Sequence, residues 1–387
     1  MAEAQFQYSE AFLQWIWENG LFDHAGLQTD CGKSVQILEV GELNKTNGPD
    51  FKACRIAIDE LTWHGDVELH LRSKDWYAHG HHVDENFNSV FLHVIVGGNN
   101  ESVKTQNGSS PYTLNLEPYL SSNLKVFLKS FEDEKTLPCT GNMNFISEKV
   151  FIKQLEKAHS EYLEKKTDDF LSLYDPNILP SAAWKKALAL SVWDGLGITH
   201  NRKAMKVTGE RLLASWDGVL IDEGIELALN EAGLTDNSDI KWNLKSVRPA
   251  NHPEKRIHEA VLITFEILNT PFENFLGRNS VGLWSKWCKS SDLKSSSRMK
   301  ILFGTVFLPG LYVLGMLFAH EYLKDKVRTT WSDLKTPIPQ TLLKKFKALP
   351  IKTENYSKKL GSIHQLKSYC KPRMCSECFV LKNAIQS

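Results

Sequence analysis

The sequence lacks a net charge, a bilayer-length apolar run and an export signal. Its 46 Lys and Arg residues balance 46 Asp and Glu residues, so any nucleic-acid-binding site must be local. Pro309 and Gly310 interrupt the most apolar stretch, 301–311, which predicts a buried helix instead of a membrane span. The N-terminal residues have no basic and apolar signal regions, and we therefore expect a cytoplasmic protein with no membrane partner.

The sequence also has few cysteines, and their spacing excludes a disulfide framework. In a reducing compartment a close group of cysteines indicates a metal site instead. Cys370, Cys375 and Cys378 can hold a zinc ion or an iron–sulfur cluster if a fourth ligand joins them. Cys139 is our first candidate for that ligand, and we expect a closed structural site. The alternatives are His364 and Cys288.

The pattern along the chain predicts an α+β fold. Short β-rich segments separated by turn residues occupy 35–40, 51–58, 62–71 and 90–96, and a Gly/Asn/Ser-rich loop follows at 97–110. Helical periodicity dominates from about residue 116 onward. We therefore predict a small mixed-sheet domain over residues 1–140 and a helical domain over residues 141–387 that ends in the cysteine group. The clearest helical stretches are 148–166, 182–196, 203–216, 223–232, 257–268 and 340–349.

Acidic and histidine side chains alternate with apolar ones along a predicted hairpin. With a turn at 59–61 that is symmetric about Glu60, Asp50 lies opposite His70 and Lys52 lies opposite Glu68. Side chains alternate faces with period two, so a slip of one residue would send Asp50 to the apolar face. The polar face then carries His64, Asp66, Glu68 and His70. The apolar face carries Trp63, Val67, Leu69 and Leu71.

Carboxylates that share one strand face suit a hard divalent cation. Asp50, Glu68 and Asp66 are candidate ligands for Mg²⁺ or Mn²⁺, which prefer oxygen donors. Such an ion polarises a phosphate and lowers the pKa of an attacking water. His70 is either a general base or a third ligand, and the second role would favour a transition metal.

The same residues resemble a known nuclease signature. The Pro49-Asp50 pair, the hairpin and Glu68-x-His70 are similar to the PD-(D/E)xK motif, with His70 at the position of the usual Lys. The resemblance implies a nuclease-like sheet in which Asp50 and Glu68 bind metal and the third position orients or activates water. Lys52 and Lys74 are possible substitutes for the missing Lys.

Histidines are concentrated just after this hairpin. Six of the 13 histidines fall between residues 64 and 93, and His79-Gly80-His81-His82 lies in the crossover to the next strand. A crossover that folds back over the polar face would allow His79 and His81 to contact a scissile phosphate or to complete a metal site. His93 can also be read as a satisfied core residue.

A broader resemblance covers nearly the whole chain. The segments 48–51, 65–70, 75–81, 90–94 and 248–256, together with the cysteine-rich end, are similar to an uncharacterised bacterial family, a domain of unknown function. This resemblance implies an architecture and no particular activity.

A local basic stretch lies near the C-terminal end. Residues 340–373 contain nine Lys or Arg residues and one acid, Glu354. This stretch could follow a phosphate backbone, with Phe346 and Tyr356 as stacking partners, or be a solvated helix face. The candidate nucleic-acid-binding residues are Lys52, Lys344, Lys345, Lys347, Lys358 and Lys359.

These patterns together predict a metal-dependent nuclease or phosphodiesterase that acts on DNA or RNA. The catalytic candidates are Asp50, Glu68, His70, His79 and His81. One alternative is a non-catalytic nucleic-acid-binding module with a degenerate nuclease fold, because the motif Lys is missing. The other is a His/Asp transition-metal hydrolase that acts on a different substrate.

Overall fold

The computed structural model divides into two compact units that are discontinuous in sequence. It describes residues 2–98, 101–130, 137–139, 147–216, 218–234, 239–244, 251–293, 296–336, 338–349, 351–378 and 380–381. Unit 1 comprises residues 1–154, 344–351 and 366–387, and unit 2 comprises residues 155–343 and 352–365. This division differs from the predicted one at 140/141 because the C-terminal segment returns to unit 1, which periodicity along the chain cannot reveal.

The sheet of unit 1 confirms the α+β prediction. Its described strands form a mixed sheet in the order β1-β3-β4-β5-β6, and β2 also pairs with β3. Strands β1, β3 and β4 form an antiparallel meander, whereas β5 and β6 run parallel to β4. The strands are β1 (Val35–Glu39), β2 (Glu42–Leu43), β3 (Phe51–Ile58), β4 (Leu61–His70), β5 (Val90–Ile95) and β6 (Tyr112–Asn115). The sequence patterns predicted β1, β3, β4 and β5 and missed β2 and β6, which are too short for a clear alternation.

Helix α1 (Ala2–Glu18) packs an apolar face against this sheet. Leu13, Ile16 and Trp17 are fully buried. Trp17 contacts Phe51 of β3, and its indole N–H donates to the carbonyl of Val40 over 3.1 Å. The apolar stripe of α1 therefore fixes this helix beside the start of β3, where Asp50 lies.

The hairpin between β3 and β4 differs from the predicted register. Its turn has two residues, Asp59 and Glu60, because Ile58 pairs with Leu61. The regular pairing of 54–58 with 61–65 is therefore shifted by one residue from the predicted register. The register then changes again between Phe51 and Cys54, where Ala53 has a φ of 55°. This β-bulge inserts one extra residue into β3 and reverses the alternation of its side chains.

The bulge determines on which face of the sheet Asp50 lies. In the regular part of β3, the even-numbered Cys54, Ile56 and Ile58 point into the core, so Asp50 would point there too without an insertion. With the bulge, Phe51 pairs with Val67 on the core face and Asp50 lies beside Glu68 on the polar face. The prediction that Asp50 faces His70 was wrong, and the shared face is reached through a different register.

The left-handed backbone of Ala53 gives a direct test of this bulge. Ala53→Gly removes the steric cost of that conformation, so we expect the free energy of unfolding to stay unchanged or rise by up to about 1 kcal/mol. The matched variant Ala57→Gly lies in the regular part of β3 and should lower it by about 0.5–1 kcal/mol. Chemical denaturation measures both values, and an equal loss in the two variants would argue against a strained bulge.

The remainder of the chain is mainly helical. The predicted helices over 148–166, 182–196, 203–216, 223–232 and 257–268 are confirmed, with ends that differ by a few residues, whereas 340–349 is helical only at its start. The first described helices after the hairpin are α2 (Asp75–Ala78), α3 (Ser122–Ser130), α4 (Glu148–Leu171), α5 (Pro180–Leu196), α6 (Ile198–Ala214) and α7 (Ile221–Ala232). They are followed by α8 (Pro253–Asn269), α9 (Phe272–Leu276), α10 (Leu283–Ser290), α11 (Ser297–Leu302), α12 (Leu308–Leu317), α13 (Glu321–Ser332), α14 (Gln340–Leu343) and α15 (Gly361–His364).

The apolar stretch around Pro309 is helical and mostly buried, as predicted, but proline does not break it. Helices α11 and α12 are joined by a π-helical segment, Phe303–Phe307, and Pro309 begins the first turn of α12. A π turn already disturbs the regular hydrogen-bond ladder, so the missing N–H of proline costs little there. The run Ser297–Leu317 is long and apolar enough to cross a bilayer, with 61% of its most apolar window buried inside the protein.

Buried aromatic and polar groups organise unit 2. The indole N–H of Trp193 on α5 donates to the Thr264 hydroxyl on α8 over 3.0 Å. His159 donates from Nε2 to the Trp331 carbonyl over 2.8 Å and accepts from the Gly361 N–H at Nδ1 over 3.1 Å. Because these buried groups have hydrogen-bond partners on other helices and turns, they help to specify how unit 2 packs.

Candidate metal centre

Strand β4 supplies two buried polar side chains from the face opposite its core residues. Glu68 and His70 alternate with Val67 and Leu69 along the strand, and their residues are 5% and 1% exposed. Burying a carboxyl and an imidazole is costly unless they are paired or bind a metal. Their surroundings therefore decide what this strand face does.

Asp50 lies directly beside Glu68. The backbone N–H of Asp50 donates to Glu68 Oε2 over 2.9 Å, and Asp50 Oδ2 accepts from the Leu69 N–H over 3.1 Å. Asp50 Oδ1 accepts from the Gln14 amide of α1 over 2.6 Å. These three contacts hold both carboxyl groups in fixed orientations at one end of the hairpin.

Burial shifts the acidity of this pair strongly. It raises the pKa of Glu68 to about 8, and it raises the pKa of Asp50 well above its usual value with further help from the neighbouring Glu68 charge. Two buried carboxylates in contact repel each other, so a nearby cation would stabilise their ionised forms.

The crossover after β4 brings two more imidazoles to this face. His79 ends the short helix α2, and His81 begins a 3₁₀ turn that ends at Val83. Gly80 lies between them with a φ of 79°, a left-handed conformation that L residues rarely adopt. This reversal of the chain aims the rings of His79 and His81 at the same point.

Three imidazoles converge there, and a carboxylate oxygen of Glu68 lies beside two of them. His70 Nε2 lies 3.2 Å from His79 Nδ1 and 3.6 Å from Glu68 Oε1, and His81 Nε2 lies 3.0 Å from the same Glu68 oxygen. Ligands about 2.0–2.1 Å from a tetrahedral zinc ion are separated by about 3.3 Å. The ligand atoms of His70, His79 and His81 all lie within 4.8 Å of one another, which is close enough for the three rings to share one metal ion.

The contact between His81 and Glu68 supports this interpretation. His81 Nε2 is buried and makes no hydrogen bond, although it lies 3.0 Å from Glu68 Oε1. An unmade hydrogen bond at that distance means that the two atoms are poorly aligned for each other. Two donor atoms directed at one cation have this arrangement, so the residues present fit a metal ion.

The imidazoles are neutral around this point, as metal ligation requires. Burial lowers the pKa of His81 to about 4, and burial together with neighbouring histidines lowers that of His70 well below its usual value. His79 is shifted in the same direction, although its residue is exposed. Neutral imidazole is the form that binds metal, so no proton has to leave these rings.

His93 supports the cluster from strand β5. Its Nε2 lies 2.9 Å from His70 Nδ1, so the other ring nitrogen of His70 is the one that faces His79 and Glu68. Burial lowers the pKa of His93 to about 3, and this residue is fully buried. His93 therefore fixes the orientation of His70 from behind, as second-layer groups do in metal sites.

Two other predicted site residues have different surroundings from those expected. Asp66 accepts from the Ala53 N–H over 3.3 Å and from the Ser89 hydroxyl over 2.6 Å, so its carboxylate stabilises the bulge and the start of β5. Lys52 lies opposite Glu42 of β2 in the strand register and is exposed, whereas the predicted register had it opposite Glu68. The bulge is the physical reason for both differences.

Sequence reasoning missed two polar residues on α1 near the cluster. Glu10 and Gln14 are four residues apart and so lie on one side of the helix. Burial is the main cause that raises the pKa of Glu10 to about 8, and the negative charges of Asp50, Asp75 and Glu68 raise it in the same direction. The sequence signal that could have identified these two residues is a polar i, i+4 pair beside the apolar stripe of α1.

Glu10 and Gln14 also line a cavity of about 380 Å³ within unit 1. The C-terminal segment supplies its other wall. Because Gln14 also contacts Asp50, this cavity adjoins the carboxylate end of the cluster. The residues that line it are Glu10, Ala11, Phe12, Gln14, Pro372, Arg373, Met374 and Ser376.

The predicted nucleic-acid-binding lysines of the basic stretch fall in both units. Lys344, Lys345 and Lys347 belong to unit 1, whereas Lys358 and Lys359 belong to unit 2. Lys344, Lys347 and Lys358 are exposed, and Lys345 and Lys359 are half-buried. The predicted stacking partners Phe346 and Tyr356 are 0% and 1% exposed, so that part of the prediction was wrong. Alternation of Lys with aromatic residues here reflects packing of the aromatic rings.

The four predicted cysteine ligands all belong to unit 1. Cys139, Cys370, Cys375 and Cys378 are half-buried. The alternative fourth ligands belong to unit 2, where His364 Nε2 lies 3.4 Å from Glu161 and Cys288 is buried. Residues 248–250 of the segment 248–256 lie outside the described part of the chain.

The fold and the cluster define an α+β protein with a buried histidine–carboxylate site on the polar face of its sheet. Residues 10–216 match the model of a family described as protein of unknown function (DUF2851), and the chain belongs to this family. No curated protein and no solved structure matches the chain. The family match confirms the resemblance to a domain of unknown function and contains every residue of the cluster, from Glu10 to His93.

Gly80 allows the convergence of His79 and His81 to be tested. A Cβ at Gly80 or at Gly32 meets no atom within 4 Å, and their φ values are 79° and 81°, so alanine introduces only backbone strain at either position. We expect Gly80→Ala and Gly32→Ala to lose similar stability, about 1 kcal/mol, and only Gly80→Ala to weaken metal binding. Titration with Zn²⁺ beside thermal unfolding measures both effects. Equal metal affinities in the two variants would contradict a centre built around Gly80.

Proposed function

We propose that this protein is a metal-dependent hydrolase whose metal is held by Glu68, His70, His79 and His81 and whose substrate is a phosphodiester bond of nucleic acid. The observation that carries the proposal is the convergence of the three imidazoles, with Glu68 Oε1 3.0 Å from His81 Nε2 and 3.6 Å from His70 Nε2. A purely structural hydrogen-bond network would align the His81 nitrogen with its acceptor instead of leaving it without a hydrogen bond.

The donor set favours a transition metal over Mg²⁺ or Mn²⁺. Three imidazole nitrogens and one carboxylate oxygen suit zinc and its neighbours, whereas magnesium takes oxygen ligands almost entirely. His70 is then a ligand, which was one of the two roles that the sequence left open. Asp50 lies beside the centre, and its carboxylate is already occupied by Gln14 and Leu69.

When bound, such a metal lowers the pKa of a coordinated water and polarises a phosphoryl oxygen. Asp50 borders the ligand Glu68 and orients it, because the Asp50 backbone N–H donates to Glu68 while the Asp50 carboxyl is held by Gln14 and Leu69. Glu10 has its pKa raised to about 8, so it holds a proton at neutral pH that it can give to a leaving oxygen.

Two features support the substrate class. Asp50, directly before β3, and Glu68-x-His70 on the adjacent β4 are the residues on which the resemblance to the PD-(D/E)xK motif depends, and their contact supports a phosphodiester substrate. The ligand His79 is exposed, and the cavity that Gln14 lines also contains Arg373. An arginine at such a position suits the negative charge of a phosphodiester.

Metal binding can be measured apart from activity. His79→Ala should weaken Zn²⁺ binding by more than the roughly 10–100-fold that loss of a second-layer group costs. His64→Ala is a matched control on the same strand face, exposed and outside the cluster. Competition with a chromophoric chelator gives both affinities, and equal affinities for the two variants would contradict the proposed metal centre.

The pH dependence of that affinity follows from the shifted groups. Glu68 must lose its proton to bind a cation and its pKa is about 8, whereas the ring of His81 stays neutral down to about pH 4. We therefore expect Zn²⁺ affinity to rise between about pH 6 and pH 8 with release of at least one proton per ion. An affinity that is flat over this range would mean that Glu68 is not a ligand.

Activity is tested with a substitution that preserves shape. Glu68→Gln should reduce hydrolysis of bis(4-nitrophenyl) phosphate and of single- or double-stranded DNA and RNA by about a hundredfold or more, because one ligand charge is lost. His64→Ala should retain the wild-type rate. Metal-loaded wild-type protein that binds nucleic acid without cleaving it would support the binding-module alternative. Cleavage of other esters or amides alone would support the hydrolase of a different substrate.

A further inference from the structure

The three parallel strands of unit 1 end at the same edge of the sheet. His70 of β4 pairs with Ile95 of β5, and Ile95 pairs with Asn115 of β6, so the carboxyl ends of these strands are level with one another. Ligands of sheets built from parallel strands bind in the crevice outside the carboxyl ends. This edge is therefore where a second ligand site is expected.

A cavity of about 300 Å³ lies at this edge, and we call it the edge cavity. Residues 71–72 follow β4, residues 96–98 follow β5, Glu117 follows β6, and Lys125 and Leu128 belong to α3. All of these residues belong to unit 1, and none is a proposed ligand of the histidine centre. The edge cavity is thus assembled from the ends of three strands and one helix.

Part of the lining of the edge cavity is apolar. Leu71, Val96, Leu120 and Leu128 all contribute to it, and Leu120 is 5% exposed. Sites for small molecules are typically lined by apolar side chains with a few polar groups at fixed positions. The edge cavity therefore offers a surface for the carbon skeleton of a ligand.

Two cations from different elements border the same cavity. Arg72 lies directly after Leu71, and Lys125 is half-buried on α3. The Asp75 carboxylate holds Arg72 in place, because it accepts from the Arg72 backbone N–H over 3.0 Å and lies 3.8 Å from Nε. A guanidinium has five N–H donors, so Arg72 can contact both Asp75 and a bound oxyanion. Glu117 is the one acid among these lining residues.

Gly98 lets the side chain of Arg72 lie close to the backbone after β5. Its φ is 84°, and a Cβ at this position would lie 3.4 Å from Cγ of Arg72. A larger residue would therefore press on Arg72 as well as strain the backbone. Glycine at such a position also permits a ligand to approach the main chain closely.

We propose that the edge cavity binds a nucleotide, with its phosphate held by Arg72 and Lys125 and its sugar and base against the apolar lining. Arginine forms paired hydrogen bonds with phosphate, and a second cation favours an anion with more than one negative charge. Glu117 can accept a hydrogen bond from a hydroxyl or amino group of the same ligand. The phosphate can belong to a free nucleotide or to the 5′ end of a nucleic-acid strand.

This site does not depend on the proposed hydrolase function, so its test uses metal-free protein. Calorimetric titration of the full chain in EDTA compares adenosine 5′-monophosphate, ribose 5-phosphate, inorganic phosphate and adenosine. We expect the mononucleotide to bind at least about tenfold more tightly than each of the other three, because it alone has both a phosphate and a base. Equal affinities for the mononucleotide and adenosine, or no binding of the mononucleotide, would overturn the proposal.

Variants of Lys125 test the phosphate contact. Lys125→Glu should weaken mononucleotide binding by about 10–100-fold, because a charge-assisted contact is replaced by repulsion, and Lys125→Arg should restore most of the affinity. Lys149→Ala is the control, since this lysine is an exposed residue of α4 in unit 1 outside the cavity. Equal affinities in Lys125→Glu and Lys149→Ala would contradict the site.

A glycine pair covers the case in which Lys125→Glu does not fold. Gly108 has a φ of 86° and no atom within 4 Å of an added Cβ, so Gly108→Ala matches the backbone strain of Gly98→Ala without touching Arg72. Only Gly98→Ala should weaken mononucleotide binding, and equal affinities would argue against the site.

Competition with short oligonucleotides distinguishes the two sources of phosphate. A 5′-phosphorylated dinucleotide that displaces the mononucleotide would assign the site to strand ends, and failure to displace it would assign the site to free nucleotides. Displacement by the 5′-hydroxyl form to the same extent would overturn recognition of a terminal phosphate.

Discussion

The β-bulge at Ala53 is the constraint on which the candidate site depends. One inserted residue turns Phe51 into the core and Asp50 onto the polar face, and it lets the Asp50 amide donate to Glu68 over 2.9 Å. Asp66 in turn accepts from the Ala53 amide, so a neighbouring strand holds the bulge in place. A strained backbone conformation of this kind persists only where the surrounding contacts specify it, and such positions are frequent at functional sites.

The buried cluster behind that bulge carries an electrostatic cost. Glu68, His70 and His93 are nearly inaccessible to solvent, and burial pushes all three toward their neutral forms. A protein that needed only a stable sheet could fill these positions with apolar residues at no loss. Retaining titratable groups in mutual contact on the face beside a cavity is typical of sites that bind a cation or transfer protons.

The candidate ligands of the histidine centre and the predicted cysteine ligands are distributed differently along the chain. Glu68, His70, His79 and His81 come from 14 consecutive residues, positioned by one strand, one short helix and one left-handed glycine. The cysteines come from two distant parts of the chain within unit 1. The local cluster can form as soon as β4 and its crossover pack. A site made from the predicted cysteine ligands would need a much longer loop to close, which has the larger entropic cost.

The sequence by itself determined the fold class, four of the six described strands, most of the long helices and the segment in which the candidate ligands lie. These features follow from side-chain periodicity and turn residues, which are local. Tertiary structure decided the hairpin register, because the length of the turn and the bulge at Ala53 depend on how β3 pairs with β4. It also decided that His79 contacts His70 and that His81 contacts Glu68, that Phe346 and Tyr356 are core residues, and that Glu10 and Gln14 border the site. Each of these depends on which elements pack together, and no local pattern encodes that information.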